Sequence, residues 1–416
     1  MVTSNFEFYK RAIIYEVNIR QYTKEGTIAA FCKHIPRLKN MGVNVIWLMP
    51  IHPIGIINRK GPLGSYYAIQ NYHEVNPEFG TKVDLIQLIS LAHSNGIKVI
   101  LDWVANHAST DNIWTIERPD YFIKNDDGSF YAPHGWTDVI QINHSNPDAH
   151  QALISEMIYW IETFDIDGFR ADLAHLTPLD FWINARKQTH HIKSDLIWLA
   201  ESENTDYFKA FDILYAWQWM HLTEDYCSGK NNIDDLITYI KSEFVNKSKS
   251  YYKLYFTTNH DENSWNGTEF EKYGNLSDVF TVMHFFLPFS VPLIYNGQEI
   301  PNQKRLLFFD RDPLHWDYPI QKNRFYQQLI EIRRHLQKHD QFDIDESHLN
   351  LLIINRRGVN STIKAVLNIG MQIEHYHQLS NLPVADFRIL MHARQMDVKQ
   401  INVLPPGAFL IIEAFN

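Results

Sequence analysis

Short apolar runs recur along the chain, and they constrain its fold more than any other feature of the sequence. Eight of them are bounded by polar residues or glycine: 12–19, 43–51, 97–104, 166–172, 196–202, 213–218, 254–261 and 291–299. Unbroken runs of this kind are typical of strands that are buried on both faces, as in parallel sheets. Because segments of helical periodicity separate most of them, the alternation predicts a (β/α)8 TIM barrel over residues 8–335.

Two of the intervening segments carry clear helix boundaries. Residues 27–42 have apolar side chains at three- and four-residue steps, and Gly42 stands where a helix would end. Residues 81–96 show the same period, with Thr81 and Asp84 resembling a capping pair and Gly96 a stop signal. Both segments are therefore predicted to be helical.

Two stretches depart from the alternation. Residues 108–145 are rich in Asp, Asn, Pro, Gly and aromatic residues, which predicts a short insertion after the third strand. Residues 336–416 contain short apolar runs separated by turn residues, which is typical of an all-β domain. The predicted organisation is thus a catalytic barrel (1–107 and 146–335), an inserted loop (108–145) and a carboxy-terminal β-sandwich-like domain (336–416).

Composition excludes several classes of partner. The formal charge of −10 leaves no basic surface for nucleic acid, and the longest apolar windows are too short to span a membrane. The first residues lack the pattern of a signal peptide, so we expect a cytoplasmic protein. Two cysteines, Cys32 and Cys227, form neither a disulfide framework nor a paired metal motif. The oligomeric state stays open.

Polar side chains collect where the predicted strands end. They are Asp102, Asn106 and His107 after the third strand, Arg170 and Asp172 on the fourth, Glu201 after the fifth, and His260 and Asp261 after the seventh. In a barrel of this kind, the carboxyl ends of the strands meet at the face that carries the active site. The sequence therefore predicts three carboxylates, Asp172, Glu201 and Asp261, around one mouth.

Carboxylates that lie close together disfavour one another's ionisation. We therefore expect such a cluster only where it has a function. Glycoside hydrolysis needs it, because one carboxylate acts as nucleophile and another carboxyl group as acid. The charge of Arg170 should keep Asp172 ionised, as a nucleophile requires. Glu201 follows the apolar run "IWLA" and is the better candidate for a proton donor.

Four segments, in order, resemble motifs of the α-amylase superfamily of retaining α-glucoside hydrolases and transglycosidases. They are "DWVANH", "GFRAD", "LAESE" and "TTNHD". The resemblance implies Asp172 as nucleophile, Glu201 as general acid/base and Asp261 as the carboxylate that holds and distorts the sugar. It also implies that Arg170 orients Asp172.

Further residues enter through the same resemblance. Tyr67, in "GSYYAIQNYHEVNPEFG", matches the tyrosine that stacks under the reacting sugar, and His107 and His260 match residues that bind its hydroxyls. His175 and Leu176 stand where the family often has a lysine–histidine pair, so His175 is a candidate substrate contact of unusual type. Asp102 has two interpretations, a substrate contact or a structural acceptor below the mouth.

The resemblance implies an α-glucan or an oligosaccharide as substrate and requires no cofactor. Family members often bind calcium with an asparagine such as Asn106, but Gln141 replaces an aspartate that is common in the inserted segment. These motifs do not separate a hydrolase from a transglycosidase or an isomerase, because all share the glycosyl-enzyme intermediate. A non-catalytic carbohydrate-binding or interaction protein on the same fold is the remaining alternative, although such a protein should have lost one of the three carboxylates.

Overall fold

The computed structural model describes residues 6–245, 251–316, 319–377, 387–397 and 400–415. Its strands, in chain order, are β1 (Ile14–Val17), β2 (Val45–Leu48), β3 (Lys98–Val104), β4 (His107–Ser109), β5 (Val139–Gln141), β6 (Gly168–Asp172), β7 (Ile197–Ala200), β8 (Ile213–Tyr215), β9 (Tyr252–Tyr255), β10 (Ser290–Tyr295), β11 (Gln341–Asp345), β12 (Leu351–Arg357), β13 (Ser361–Asn368), β14 (Glu374–His375), β15 (Phe387–His392), β16 (Val403–Leu404) and β17 (Phe409–Phe415).

The α-helices lie mainly between the barrel strands. They are α1 (Phe6–Tyr9), α2 (Ile19–Tyr22), α3 (Ile28–Cys32), α4 (Ile35–Met41), α5 (Lys82–Ser94), α6 (Trp114–Glu117), α7 (Pro147–Phe164), α8 (Leu179–His190), α9 (Trp217–Cys227), α10 (Ile233–Phe244), α11 (Glu269–Tyr273), α12 (Ser277–Phe286) and α13 (Asn323–Leu336). Within the described residues, none of these helices is both long and apolar enough to cross a membrane.

Eight strands close into a barrel in the order β1-β10-β9-β8-β7-β6-β3-β2. Neighbouring strands run parallel, as in the pairing of β1 with β2 and of β3 with β6. All four residues of β2 and all five of β6 are buried, as their apolar runs require. The predicted (β/α)8 barrel is confirmed, and each of its strands lies within or beside one of the eight apolar runs.

The segment 27–42 forms two helices where the sequence predicted one. α3 ends at Cys32 and α4 begins at Ile35, with Pro36 in its first turn. Proline has no N–H to donate and restricts the residue before it, so the helix stops ahead of it and starts again. Gly42 then ends α4 with φ 104°, as its position predicted.

The residues predicted to begin and end α5 form the expected contacts. The side chain of Thr81 accepts from the backbone N–H of Asp84, and the carboxylate of Asp84 accepts from the backbone N–H of Thr81. Two N–H groups that lack a helical partner are thereby satisfied. Gly96 follows the helix with φ +69° and turns the chain into β3.

The inserted segment contains its own two-stranded antiparallel sheet. β4 pairs with β5 so that His107 lies opposite Gln141 and Ser109 opposite Val139. The sheet ties the two ends of the insertion together directly beside the carboxyl end of β3.

The carboxy-terminal region is all-β where it is described, as predicted. An antiparallel five-stranded sheet has the order β11-β12-β13-β17-β15, and β14 pairs with β16. Its β11 was not predicted, because "QFDID" alternates polar and apolar residues too briefly to distinguish a strand from a turn.

The described residues fall into two compact units. The first contains Ile13–Tyr215 and Ile294–Ile320, and the second contains Phe6–Ala12, Ala216–Leu293 and Gln321–Asn416. The domain boundaries inferred from the sequence, at 107/108, 145/146 and 335/336, stay predictions.

Candidate active site

Arg170 is the centre of a charged cluster in the first unit. Because side chains two residues apart point to the same face of a strand, β6 presents Arg170 and Asp172 together. The guanidinium Nη1 donates to Asp102 Oδ1 at 2.9 Å and to Asp172 Oδ1 at 3.0 Å. Its Nη2 lies 2.9 Å from Glu201 Oε2. One cation thus joins three of the carboxylates that the sequence placed at strand ends.

This arginine is entirely enclosed. Burial alone would lower the pKa of Arg170, but the charges of Asp102 and Glu201 raise it well above its ordinary value. Its guanidinium lies 4.9 Å from the ring centroid of Trp47, and its Nε donates to the hydroxyl of Tyr215 at 3.1 Å. Arg170 is therefore a permanent and fixed charge.

Asp102 is held from three sides. Besides Arg170, its Oδ2 accepts from Trp47 Nε1 and from the Tyr67 hydroxyl, both at 3.1 Å. Asp102 is only 1% exposed. This geometry favours the structural interpretation of Asp102 over direct substrate contact.

Glu201 stands one residue beyond β7. Its carboxylate Oε2 accepts from the backbone N–H of Leu173 at 2.8 Å and lies 2.9 Å from Arg170 Nη2 in an ion pair. Leu173 has φ 39° and ψ 47°, a left-handed conformation that costs energy for a leucine and directs its N–H to Glu201.

His175 lies at the edge of the same cluster. Its Nδ1 is 3.4 Å from the backbone oxygen of Glu201, and the residue is exposed. The hydroxyl of Tyr207 donates to the carbonyls of His175 and Thr177 and so fixes the short turn that presents the imidazole.

His107 belongs to β4 and is buried. The Asn106 side-chain amide is 3.2 Å from His107 Nδ1, so Nδ1 acts as acceptor and Nε2 carries the proton. Burial lowers the pKa of His107 to about 4, although the charge of Asp138 opposes this shift. The imidazole is therefore neutral above that pH and presents one N–H donor.

His260 and Asp261 lie in the second unit, after β9. His260 is 1% exposed, and its Nε2 is 3.2 Å from Asp261 Oδ2. The side chain of Asn259 accepts from the backbone N–H groups of Asp261 and Glu262 and shapes this turn. The Asp261 side chain is 38% exposed and so is accessible to a ligand.

Of the predicted site residues, the structure brings Tyr67, Asp102, Arg170, Asp172 and Glu201 into one bonded network, with His175 beside it, and it places His107 on β4. Sequence reasoning missed Trp47 and Tyr215, which enclose the arginine. Both stand inside apolar runs, where an aromatic ring is normally a core residue, so no local signal distinguishes them.

Both oxygens of Asn106 accept hydrogen bonds from Gln141, the residue that replaces the aspartate common in the inserted segment. The Gln141 side-chain amide donates to both the backbone oxygen and Oδ1 of Asn106, each at 2.9 Å. An amide N–H therefore occupies the two oxygens that a cation would use. Among the described residues, no group of three or more His, Cys, Asp or Glu side chains is arranged to hold a metal.

A parallel eight-stranded barrel with an arginine shared by carboxylates at its strand ends defines a glycosidase-like class of protein. A family model described as the α-amylase catalytic domain matches residues 15–137. The α-amylase of Lactobacillus plantarum superposes with a TM-score of 0.84 and 28% identity, covering 97% of this chain and 99% of that one. The noncanonic maltogenic α-amylase AmyB of Thermotoga neapolitana gives 0.80 and 29%, covering 98% and 97%.

Sequence comparison with individual relatives points to the same family. Alpha-amylase 2 of Dictyoglomus thermophilum is 26% identical over 375 residues, which are 79% of this chain and 65% of that protein. The chain thus spans just under two thirds of that relative's length. The chain is thus similar, over most of its length, to members of the α-amylase superfamily.

Proposed function

We propose that the protein is a retaining glycoside hydrolase that cleaves α-glucosidic bonds of starch-like α-glucans or maltooligosaccharides. The observation that carries this proposal is the shared guanidinium of Arg170, which contacts both Asp172 and Glu201. This contact supports the proposal, because a double displacement needs two carboxyl groups close together and Arg170 pairs with both.

In the first step, an oxygen of Asp172 attacks the anomeric carbon while the bond from that carbon to the leaving sugar oxygen breaks. Glu201 gives its proton to that oxygen, which leaves as a hydroxyl group. Arg170 keeps Asp172 ionised and prevents its rotation away from the sugar. Asp102 acts as a positioning residue, because it fixes Arg170 and the Tyr67 hydroxyl.

In the second step, the carboxylate of Glu201 takes a proton from water, whose oxygen attacks the anomeric carbon and releases Asp172. Two displacements at one carbon restore the α configuration. Tyr67 supplies the ring under the reacting sugar, and the neutral His107 donates to one of its hydroxyls. The resemblance implies that Asp261, with His260 beside it, is the third carboxylate, which holds the sugar in its distorted form.

The test is the variant Asp172→Asn together with the stereochemistry of the wild type. We expect Asp172→Asn to lose at least about a thousandfold in kcat with an unchanged circular dichroism spectrum, because nucleophile and charge vanish together. Proton NMR of wild-type digests of maltooligosaccharides should show the α-anomer first. A β-anomer, or substantial activity in Asp172→Asn, would refute the mechanism.

The same digests separate hydrolysis from transfer. Since the glycosyl-enzyme can react with a sugar hydroxyl in place of water, products longer than the substrate, or isomeric with it, would identify a transglycosidase or an isomerase. Binding of maltooligosaccharides without any turnover would instead indicate the non-catalytic alternative.

A further inference from the structure

A second aromatic ring lies beside Tyr67. The ring of Phe308 is nearly parallel to that of Tyr67, with 13° between the planes and 6.5 Å between the centroids, which corresponds to an offset stack. The ring of Tyr66 meets Phe308 at 87° with centroids 5.3 Å apart. Phe308 nevertheless stays partly exposed. Two nearly parallel aromatic rings thus lie next to each other, Phe308 partly exposed and Tyr67 9% exposed.

The segment that carries Phe308 is anchored to the residues after β1. Arg20 is 2% exposed and donates to the carbonyls of Gly64, at 3.0 Å, and of Phe308, at 3.5 Å. The side chain of Gln21 donates to the carbonyls of Leu307 and Asp310, at 2.8 and 2.9 Å. The ring is therefore held in position by buried donors before any ligand binds, which lowers the entropy cost of binding.

The strand order tells on which side of the reacting sugar this ring lies. In the closed barrel, β7 is four strands from β1 in either direction, so the two are opposite. Glu201 follows β7, and a general acid must stand on the side of the leaving group that it protonates. Phe308, anchored after β1, therefore lies on the opposite side, where the part of the substrate that stays on the enzyme is bound.

We propose that Phe308 and Tyr67 form a two-ring platform for two consecutive glucose units on the donor side of the scissile bond. The apolar faces of sugar rings pack on aromatic rings, and one ring serves each glucose. Phe308 is then the residue that makes the enzyme prefer to transfer a maltosyl unit over a single glucosyl unit. This inference rests on the proposed function, since it takes Glu201 as the acid.

The test compares two chromogenic substrates, p-nitrophenyl α-glucoside and p-nitrophenyl α-maltoside. Release of nitrophenol requires one glucose on the donor side for the first and two for the second. In Phe308→Ala, the ratio of kcat/KM for maltoside to that for glucoside should fall about tenfold or more, whereas Phe308→Tyr should retain it. Leu307→Ala, which truncates a 56% exposed side chain of the same segment, should also retain the wild-type ratio. An unchanged ratio in Phe308→Ala, or an equal fall in Leu307→Ala, would overturn the proposal.

Calorimetric binding decides the question independently of turnover. The Asp172→Asn variant should bind maltose more tightly than glucose, and Asp172→Asn/Phe308→Ala should lose about tenfold of that preference. If the wild type cleaves no maltooligosaccharide, the proposed function fails, whereas the two-ring platform is still tested by the binding preference for maltose.

Discussion

Arg170 supports both the stability of the barrel mouth and the chemistry proposed for it. Three carboxylates contact one guanidinium, and the cluster is almost fully buried. Removing one member of a buried ion pair is far more costly than the pair itself is stabilising, because the remaining charges lose their partner in a poorly solvated place. The single cation therefore determines whether the carboxylates can stay ionised together.

We predict that Arg170→Met lowers the free energy of unfolding by about 3–5 kcal/mol and abolishes activity. Arg170→Lys should lose less stability, since it keeps the charge, but most of the activity, since one ammonium cannot reach Asp102, Asp172 and Glu201 in the same geometry. The matched control is Arg118→Met, which removes an exposed pair with Asp120 and Asp148 and should cost at most about 1 kcal/mol. Urea denaturation measures all three, and equal losses in both methionine variants would contradict the assignment.

At the scale of elements, the sequence predicts the features that depend on residues close together in the chain. Buried barrel strands need unbroken apolar runs, and the Thr81–Asp84 cap is a contact between residues three apart, so both could be read in advance. Contacts between distant segments could not be predicted in the same way. Tyr215 on Arg170, Phe308 beside Tyr67 and the amide of Gln141 on Asn106 join residues from about 35 to about 240 positions apart. The periodicity of a single sequence gives no information about such long-range pairs.

The contact between Gln141 and Asn106, beside the β4–β5 pair, can be tested for its effect on cation binding. We predict that Gln141→Asp lowers the melting temperature in EDTA, because the donor to both Asn106 oxygens becomes an acceptor, and that millimolar calcium restores it. Gln141→Met removes the donor without adding charge and should be destabilised with no response to calcium. Differential scanning calorimetry with and without calcium measures these changes. If calcium also raised the melting temperature of the wild type, the prediction that the Gln141 amide takes the place of a cation would be wrong.

At the scale of the whole molecule, buried neutral histidines occur in both compact units. Burial lowers the pKa of His52 and of His107 to about 4, and that of His284 to about 3. His284 Nε2 accepts a hydrogen bond from Trp219 Nε1 at 3.1 Å, which requires the neutral ring. Because an unfolded histidine has a pKa near 6.5, protons bind the unfolded chain more tightly than the folded one.

The sign follows directly from these lowered values. Above a pH of about 6.5, each of these histidines is neutral in both states and does not lower the free energy of unfolding. As the pH falls towards the folded pKa, protonation of the unfolded chain lowers the free energy of unfolding, by about 3 kcal/mol at pH 4 for a folded pKa of about 4. We therefore predict that the free energy of unfolding falls steeply between pH 6.5 and 4. Urea denaturation across this range should show a shallower slope for His284→Gln, whereas the exposed His221→Gln should keep the wild-type slope. A wild-type slope in His284→Gln would mean that protonation elsewhere, and not of this buried ring, drives acid unfolding.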